Sequence, residues 1–191
     1  MTVTKNNDEQ QLPKEHNMEW SARDLMTMDR LVLDMSDASV FIDPFIPCNI
    51  ALCHEDAKEP SYAHDDDGCF DLFCIEGAEI PPRGTFVFNT HVRFQFPRNY
   101  VMPVYSRSGH GFKKDCRLAN CVGIVDRGYT DEVRVKITND SDTETMKIEK
   151  GQAVAQAMII PRPVVKFNVV DRAAIEATER GDKGFGSSDK K

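Results

Sequence analysis

An all-β barrel or sandwich is the fold class this sequence predicts, and three observations predict it. Beyond Pro44 the chain divides into short apolar or alternating runs, turn residues separate those runs, and no strand–helix–strand rhythm appears. Its 191 residues suffice for one domain with a real core plus an appendage.

Residues 1–17 are polar and acidic with no apolar period that could offset the entropy of ordering, so a flexible tail is expected there. Residues 18–47 are an extension of another kind. Met18, Ala22, Leu25, Met28, Val32 and Met35 recur at three- and four-residue steps, which predicts an amphipathic helix over 18–35. Its apolar stripe needs a cover, either this chain's own domain, a neighbouring subunit or a separate protein partner. Residues 48–170 form the core, with IALC, FDLFCI, TFVFNTHVRFQF, YVMPVY, CVGIV, EVRVKIT, QAVAQAMII and VVKFNVV expected as strands. Turns are expected at 81–84 (PPRG), 139–142 (NDSD) and 149–151 (EKG). THVRFQF alternates with one polar face, whereas QAVAQAMII is apolar on both faces and reads as a central strand. Residues 171–191 are a C-terminal arm in which DRAAIEATER makes either a short helix or an extended segment, followed by a glycine-rich stretch that a ligand would order.

Composition narrows the function. A net charge of -7 without a basic run argues against sequence-independent binding of nucleic acid, which needs clustered Lys and Arg. No apolar run approaches the length that spans a bilayer, and the N-terminus lacks a signal-peptide core, so a soluble intracellular protein, cytoplasmic or otherwise, acting on a small molecule is expected. The cysteines fall as three Cys-x4-Cys pairs, 48/53, 69/74 and 116/121. Residues five apart on a strand point to opposite faces, and no His-x3-His partner follows, so the reading is reduced, mostly buried thiols. No Walker-type loop or Rossmann glycine set is present.

The stretch 106–132 carries the chemistry. Arg107 can fork two N–H groups onto phosphate oxygens, Ser108 adds a hydroxyl, and Gly109 lets the backbone approach closely. Asp126, nineteen residues beyond Arg107, can orient a water for attack on phosphorus, and Tyr129 can cover a sugar or base. Taken singly, Arg107 reads as a solvated turn residue, Asp126 as an Asx-type turn residue and Tyr129 as a core aromatic. Five segments in order remove that ambiguity: GCFDL (68–72), SRSG (106–109), NCVGIVDRGY (120–129), KGQAVAQ (150–156) and RGDKGFGSS (180–188). Through them the chain resembles the trimeric-type dUTPases, the deoxyuridine triphosphate nucleotidohydrolases, over roughly residues 50–188.

The resemblance implies a distorted jelly-roll-like β-barrel, a homotrimer with shared sites, and hydrolysis of dUTP to dUMP and pyrophosphate. One subunit would give the phosphate motifs, a second the Asp126 hairpin and the third the tail. Asp126 corresponds to the residue that activates the attacking water. Arg107, Ser108, Gly109 and Gln156 match phosphate-contacting positions. Asn120, with Gly123 and the loop to Tyr129, would hold uracil, while Tyr129 under the deoxyribose leaves no room for a 2′-hydroxyl. Asp71 matches an acid associated, through metal-bound water, with the Mg²⁺ of the triphosphate. Arg180, Phe185, Gly186, Ser187 and Ser188 match a lid that wraps the phosphates and stacks on the base.

Departures from the family pattern are Cys69 for glycine, Ser106 for proline, Gly128 for aspartate, Thr130 for arginine, Gln152 for an acid, and Lys183 and Asp189 for glycines. None removes a group with an assigned role. A dCTP-deaminase-like enzyme is the related alternative, and it needs a carboxylate where Lys136 stands. A nucleotide-binding regulatory protein, acting through residues 18–47 with hydrolysis secondary or lost, is the alternative from another class.

Overall fold

Alternation of buried and exposed side chains sets the inward face of each strand, and the rest of the architecture follows from which edges pair. The structure, a computed structural model, describes residues 45–179 and 181. The tail of 1–17, the helix expected over 18–35, and Arg180, Lys183, Phe185, Gly186, Ser187, Ser188 and Asp189 all lie outside the described residues.

The strands among the described residues are β1 (Asn49–Leu52), β2 (Phe70–Phe73), β3 (Ala78–Ile80), β4 (Thr85–Asn89), β5 (Val92–Gln95), β6 (Tyr100–Tyr105), β7 (Cys116–Leu118), β8 (Val122–Asp126), β9 (Arg134–Asn139), β10 (Met146–Ile148), β11 (Ala153–Ala157) and β12 (Ile160–Pro161). A short helix, α1 (Ser108–Lys114), follows β6, and a 3₁₀ turn spans Arg172–Ala174. Four sheets result, all antiparallel: β12-β6-β11-β2 with β8 on the free edge of β6, β4-β9-β7, β1-β5 and β3-β10. They enclose one apolar core, in which Leu72, Ile80, Phe88, Phe96, Met102, Leu118, Ile137 and Ile148 are fully buried. Among the described residues the sheets do not join edge to edge into a closed barrel.

QAVAQAMII is central, as expected: β11 pairs with β2 on one side and β6 on the other, and Val154, Ala155 and Ala157 are sealed. The run nonetheless splits in two. The break at Met158 and Ile159 lies beside Pro103 of β6, which has no N–H to give a partner strand; Met158 N instead donates to Pro103 O at 3.3 Å. TFVFNTHVRFQF likewise becomes two strands in different sheets, turned at Thr90 and His91, where His91 has φ 53°. VVKFNVV is not a strand. Val164, Val165, Phe167 and Val169 are 74 %, 64 %, 87 % and 98 % exposed, and the segment pairs with no strand among the described residues.

The sequence reading also missed β3, β7, β10 and α1. Two glycines in seven residues hide the helical propensity of α1. It ends where Asp115 turns left-handed at φ 51° and donates its N–H to His110 O, with Lys113 and Lys114 complementing the last-turn carbonyls. The hairpin around Asp126 is a splayed one: β8 bonds to β6, whereas β7 and β9 belong to another sheet. All six cysteines are free, but only Cys74 and Cys116 are buried; Cys48 and Cys69 are half-buried and Cys53 and Cys121 exposed. Burial pushes the Cys48 thiol up to about 11, so it stays protonated.

Asn139 ties the strand ends together. Fully buried, it donates from Nδ2 to Ile80 O, Pro81 O and Glu144 O at 3.0, 3.2 and 2.7 Å and accepts Ser141 N at 3.1 Å. Asn139→Ala would leave those carbonyls without their donor, at a cost of about 3 kcal/mol and a fall in Tm on the order of 6–12 °C, measured by thermal unfolding at fixed protein concentration.

Candidate functional site

Strand register builds one hollow of about 490 Å³. Asp71 of β2 stands opposite Gln156 of β11, and Gln156 stands opposite Tyr105 of β6. Arg107 follows two residues later at the β6–α1 junction, so three residues far apart in sequence meet at one place. Arg107 Nε and Nη2 donate to Asp71 Oδ1 and Oδ2 at 3.1 and 3.3 Å, and Nη1 donates to Ala153 O at 3.4 Å. This fork holds a guanidinium with its side chain one-third exposed. Gln156 Nε2 donates to Ser106 O at 2.9 Å, which leaves its second N–H available to a ligand. Ser108 and Gly109 complete this wall as the first residues of α1, where backbone N–H groups have no partner within the helix. A Cβ built on Gly109 would meet nothing within 4 Å, so packing in this chain does not require the glycine.

A second hollow, of about 430 Å³, opens between the splayed β8 and β9. Asn120, Gly123, Asp126, Tyr129 and Lys136 line it. Gly123 eases the packing here: a Cβ would stand 3.3 Å from Val104 Cβ, which would have to give by a few tenths of an ångström, and 3.6 Å from Asn120 Nδ2. Asp126 ends β8, and its carbonyl accepts Tyr129 N at 2.9 Å across the turn. Among the described residues no donor engages the Asp126 carboxylate, which is exposed. Tyr129 is 42 % exposed, and its hydroxyl donates to Glu132 O at 2.9 Å. It is therefore not the core aromatic of the bland reading.

The two hollows share no lining residue. The chain thus brings the Arg107 group together and the Asp126 group together, and keeps the groups apart. Two departures have local uses. Ser106 Oγ accepts Leu118 N at 2.9 Å, which a proline could not do, and Gln152 Oε1 accepts Glu149 N at 3.0 Å, which closes the 149–152 turn.

Sequence reasoning missed residues at the first hollow and beside the second. Asp67 and Cys69 line the first. His110 lies in α1 behind it, 5 % exposed and with Nε2 lacking a partner. Beside the second hollow, without lining it, stand Glu132 and its neighbours Asn89 and His91, which sequence reasoning also missed. A signal existed for Asp67, in the acidic run 65–67 just before GCFDL, and for Glu132, three residues after Tyr129.

Comparison with known proteins bears on the family and the fold. A dUTPase family model matches residues 55–189. Deoxyuridine 5'-triphosphate nucleotidohydrolases of Clostridium tetani and Alkaliphilus metalliredigens are 35 % and 36 % identical, over 74 % and 69 % of this chain and 95 % and 90 % of theirs. Among solved structures, the dUTPase of Staphylococcus bacteriophage 80alpha, bound to dUPNHPP, is 28 % identical with a TM-score of 0.66, covering 74 % of this chain and 97 % of that one. A dUTPase from phage phi11 of S. aureus, 23 % identical with a TM-score of 0.61 over 66 % of this chain and 97 % of its own, shares the fold; that protein coordinates a structural Mg(II) ion.

Electrostatics near the first hollow give a test of its packing. Burial, then the nearby Arg107 charge, lowers the pKa of His110 against a smaller opposing pull from Asp71. The unfolded chain therefore binds a proton near the ordinary value of 6.5 that the folded chain refuses, and stability is lost as pH falls below that value. His110→Leu should flatten this acid limb: from about pH 7.5 to 5.5 its Tm falls less than that of the parent chain.

Proposed function

This chain belongs to the dUTPase family, and we propose that its first hollow receives the triphosphate and its second the deoxyuridine of dUTP. The reaction is hydrolysis of dUTP, and the enzyme is a dUTP nucleotidohydrolase. One observation carries the assignment of the hollows: a register-built Arg107–Asp71–Gln156 cluster beside an unobstructed Gly109, with the Asp126 carboxylate unengaged at the rim of the other hollow.

In this reading Arg107 keeps its place against Asp71 while its outward N–H groups, the Ser108 hydroxyl, the first-turn N–H groups and Gln156 take phosphate oxygens. Asp126 accepts a proton from a water as that water's oxygen bonds to the α-phosphorus and the bond to the α–β bridging oxygen breaks, releasing dUMP and pyrophosphate. Asn120 and the β8 backbone near Gly123 face the uracil edge, and the Tyr129 ring covers the sugar where a 2′-hydroxyl would collide. Arg180, Phe185, Gly186, Ser187 and Ser188 close over the nucleotide and exclude water.

The donor set suits Mg²⁺ that arrives on the triphosphate. Among the described residues no group of three His, Cys, Asp or Glu side chains is gathered as a cage, and Asp71, paired through both oxygens with Arg107, offers remaining lone pairs to a water of the ion's shell. The ion when bound neutralises phosphate charge; Asp71 would hold it through that water.

We infer a homotrimer that joins a first hollow of one subunit to a second hollow of the next. What supports this is the separation of the hollows within one chain, and the exposed Val122 and Ile124 of β8 and exposed apolar segment 164–170, which nothing among the described residues covers.

Pyrophosphate release from dUTP, dCTP, dTTP and UTP, with Mg²⁺ and with EDTA, tests the function: fast Mg²⁺-dependent release from dUTP alone is expected, and release from none of them would sink the catalytic reading. Asp126→Asn should bind dUPNHPP within about threefold of the parent while kcat falls by about 10²–10⁴, since an amide cannot accept the proton. Full turnover in that variant removes Asp126 from the mechanism.

A further inference from the structure

The β4–β5 turn lies outside both hollows, yet it is bonded to the end of the loop that carries Asp126 and Tyr129. Thr90 is fully buried, and its N and Oγ1 both donate to Val133 O, at 3.0 and 2.8 Å. Val133 N donates back to Val92 O at 3.0 Å. On the other side of Val133, Glu132 Oε2 accepts Asn89 Nδ2, and His91 Nδ1 stands 3.0 Å from that same oxygen and 3.4 Å from Asn89 Nδ2. Glu132 and His91 are only 18 % and 25 % exposed, so this is a sheltered contact and not a solvated surface pair. The backbone carbonyl of that same Glu132 receives the Tyr129 hydroxyl at 2.9 Å.

His91 has a further oddity. Its φ of 53° is uncommon for a residue with a Cβ, and the conformation is held because Asn89 Oδ1 accepts His91 N at 3.0 Å and the ring packs on His54 with centroids 5.3 Å apart. Backbone held in a sparse region persists where its surroundings over-determine it. Here that conformation aims Nδ1 at Glu132. The loop between Asp126 and Glu132 has little else: Arg127, Gly128 and Thr130 are exposed, and Asp131 makes only exposed contacts with Arg93 and Arg134.

We propose that Asn89, His91 and Glu132 are positioning residues that hold the Tyr129 ring in its sugar-discriminating pose, so that selection of the deoxyribose is set partly from the β4–β5 turn. The proposal rests on the reading of Tyr129 given above. Because none of the three touches the reacting atoms, their loss acts on substrate binding and discrimination and leaves the chemical step alone.

The test uses the full chain and the steady-state constants for dUTP and UTP, with Tm measured on each variant. His91→Asn is chosen because asparagine tolerates positive φ, so the turn survives without the ring. Expected for it, and for Glu132→Ala, is a KM for dUTP raised about tenfold, kcat within about twofold, and a dUTP-over-UTP preference reduced about tenfold. Glu132→Gln, which keeps an oxygen for one of the two donors, recovers most of both. Tyr129→Ala serves as the reference: its dUTP preference collapses if Tyr129 senses the sugar. An intact preference in Tyr129→Ala overturns that reading and this proposal with it. A collapsed preference there, with KM and preference unchanged in His91→Asn and Glu132→Ala, overturns this proposal alone, as does a fall in kcat at unchanged KM.

Discussion

The pairing of β11 with β2 on one edge and β6 on the other is the constraint from which the molecule takes its arrangement. Side chains alternate across a strand, so the register that buries Ala155 and Ala157 beside Leu72 and Val104 also turns Gln156 toward Asp71 and the start of α1. A slip of one residue would expose the apolar set and scatter the phosphate-facing one. Core and site are thus specified by the same hydrogen bonds. The irregularity between Ala153 and Ala155 in the β2 pairing lies next to the Arg107 contact with Ala153 O, where a bulge lets a carbonyl turn toward the guanidinium.

The charge of the chain would seem to oppose its substrate, since a protein of net charge -7 takes a polyanion. Local arrangement outweighs the total. Exposed charges separated by more than about 10 Å are largely screened at ordinary ionic strength, whereas Arg107 lies at the wall of the hollow with its orientation already set by Asp71. A guanidinium held in advance loses less entropy on meeting phosphate than a free one would. The partner carboxylate that holds it is also the group suited to a hydrated cation, so one pair serves both signs of charge in a metal–triphosphate complex.

Apolar surface left open marks where the single chain is unfinished. Val122, Ile124, Val164, Val165, Phe167 and Val169 are exposed around β8 and the segment after β12, and no other part of the described chain covers them. The two hollows also differ in their walls, the first carrying Asp71, Arg107, Ser108 and Gln156 and the second Asn120, Asp126, Tyr129 and Lys136. Both facts fit the homotrimer proposed above.

Much was legible in the residues alone. Periodicity of two and the turn dipeptides marked β1, β2, β6, β8, β9 and β11, and the five ordered motifs marked the family, because those signals are local and depend only on side-chain chemistry and chain geometry. VVKFNVV looked like a strand for the same reason and is not one here, since apolarity says that a segment needs a partner and not that its own chain provides one. The helix at 108–114, the break opposite Pro103 and the Glu132 contact with His91 were beyond reach, being consequences of which distant segment lies alongside. The sequence thus determined the fold class and the chemical groups of the site, which are properties of residues and their spacing. Only the tertiary structure decided that these groups divide between two hollows and that Asn89 and His91 meet the Glu132 carboxylate, because strand register and long-range packing arise from the whole chain at once.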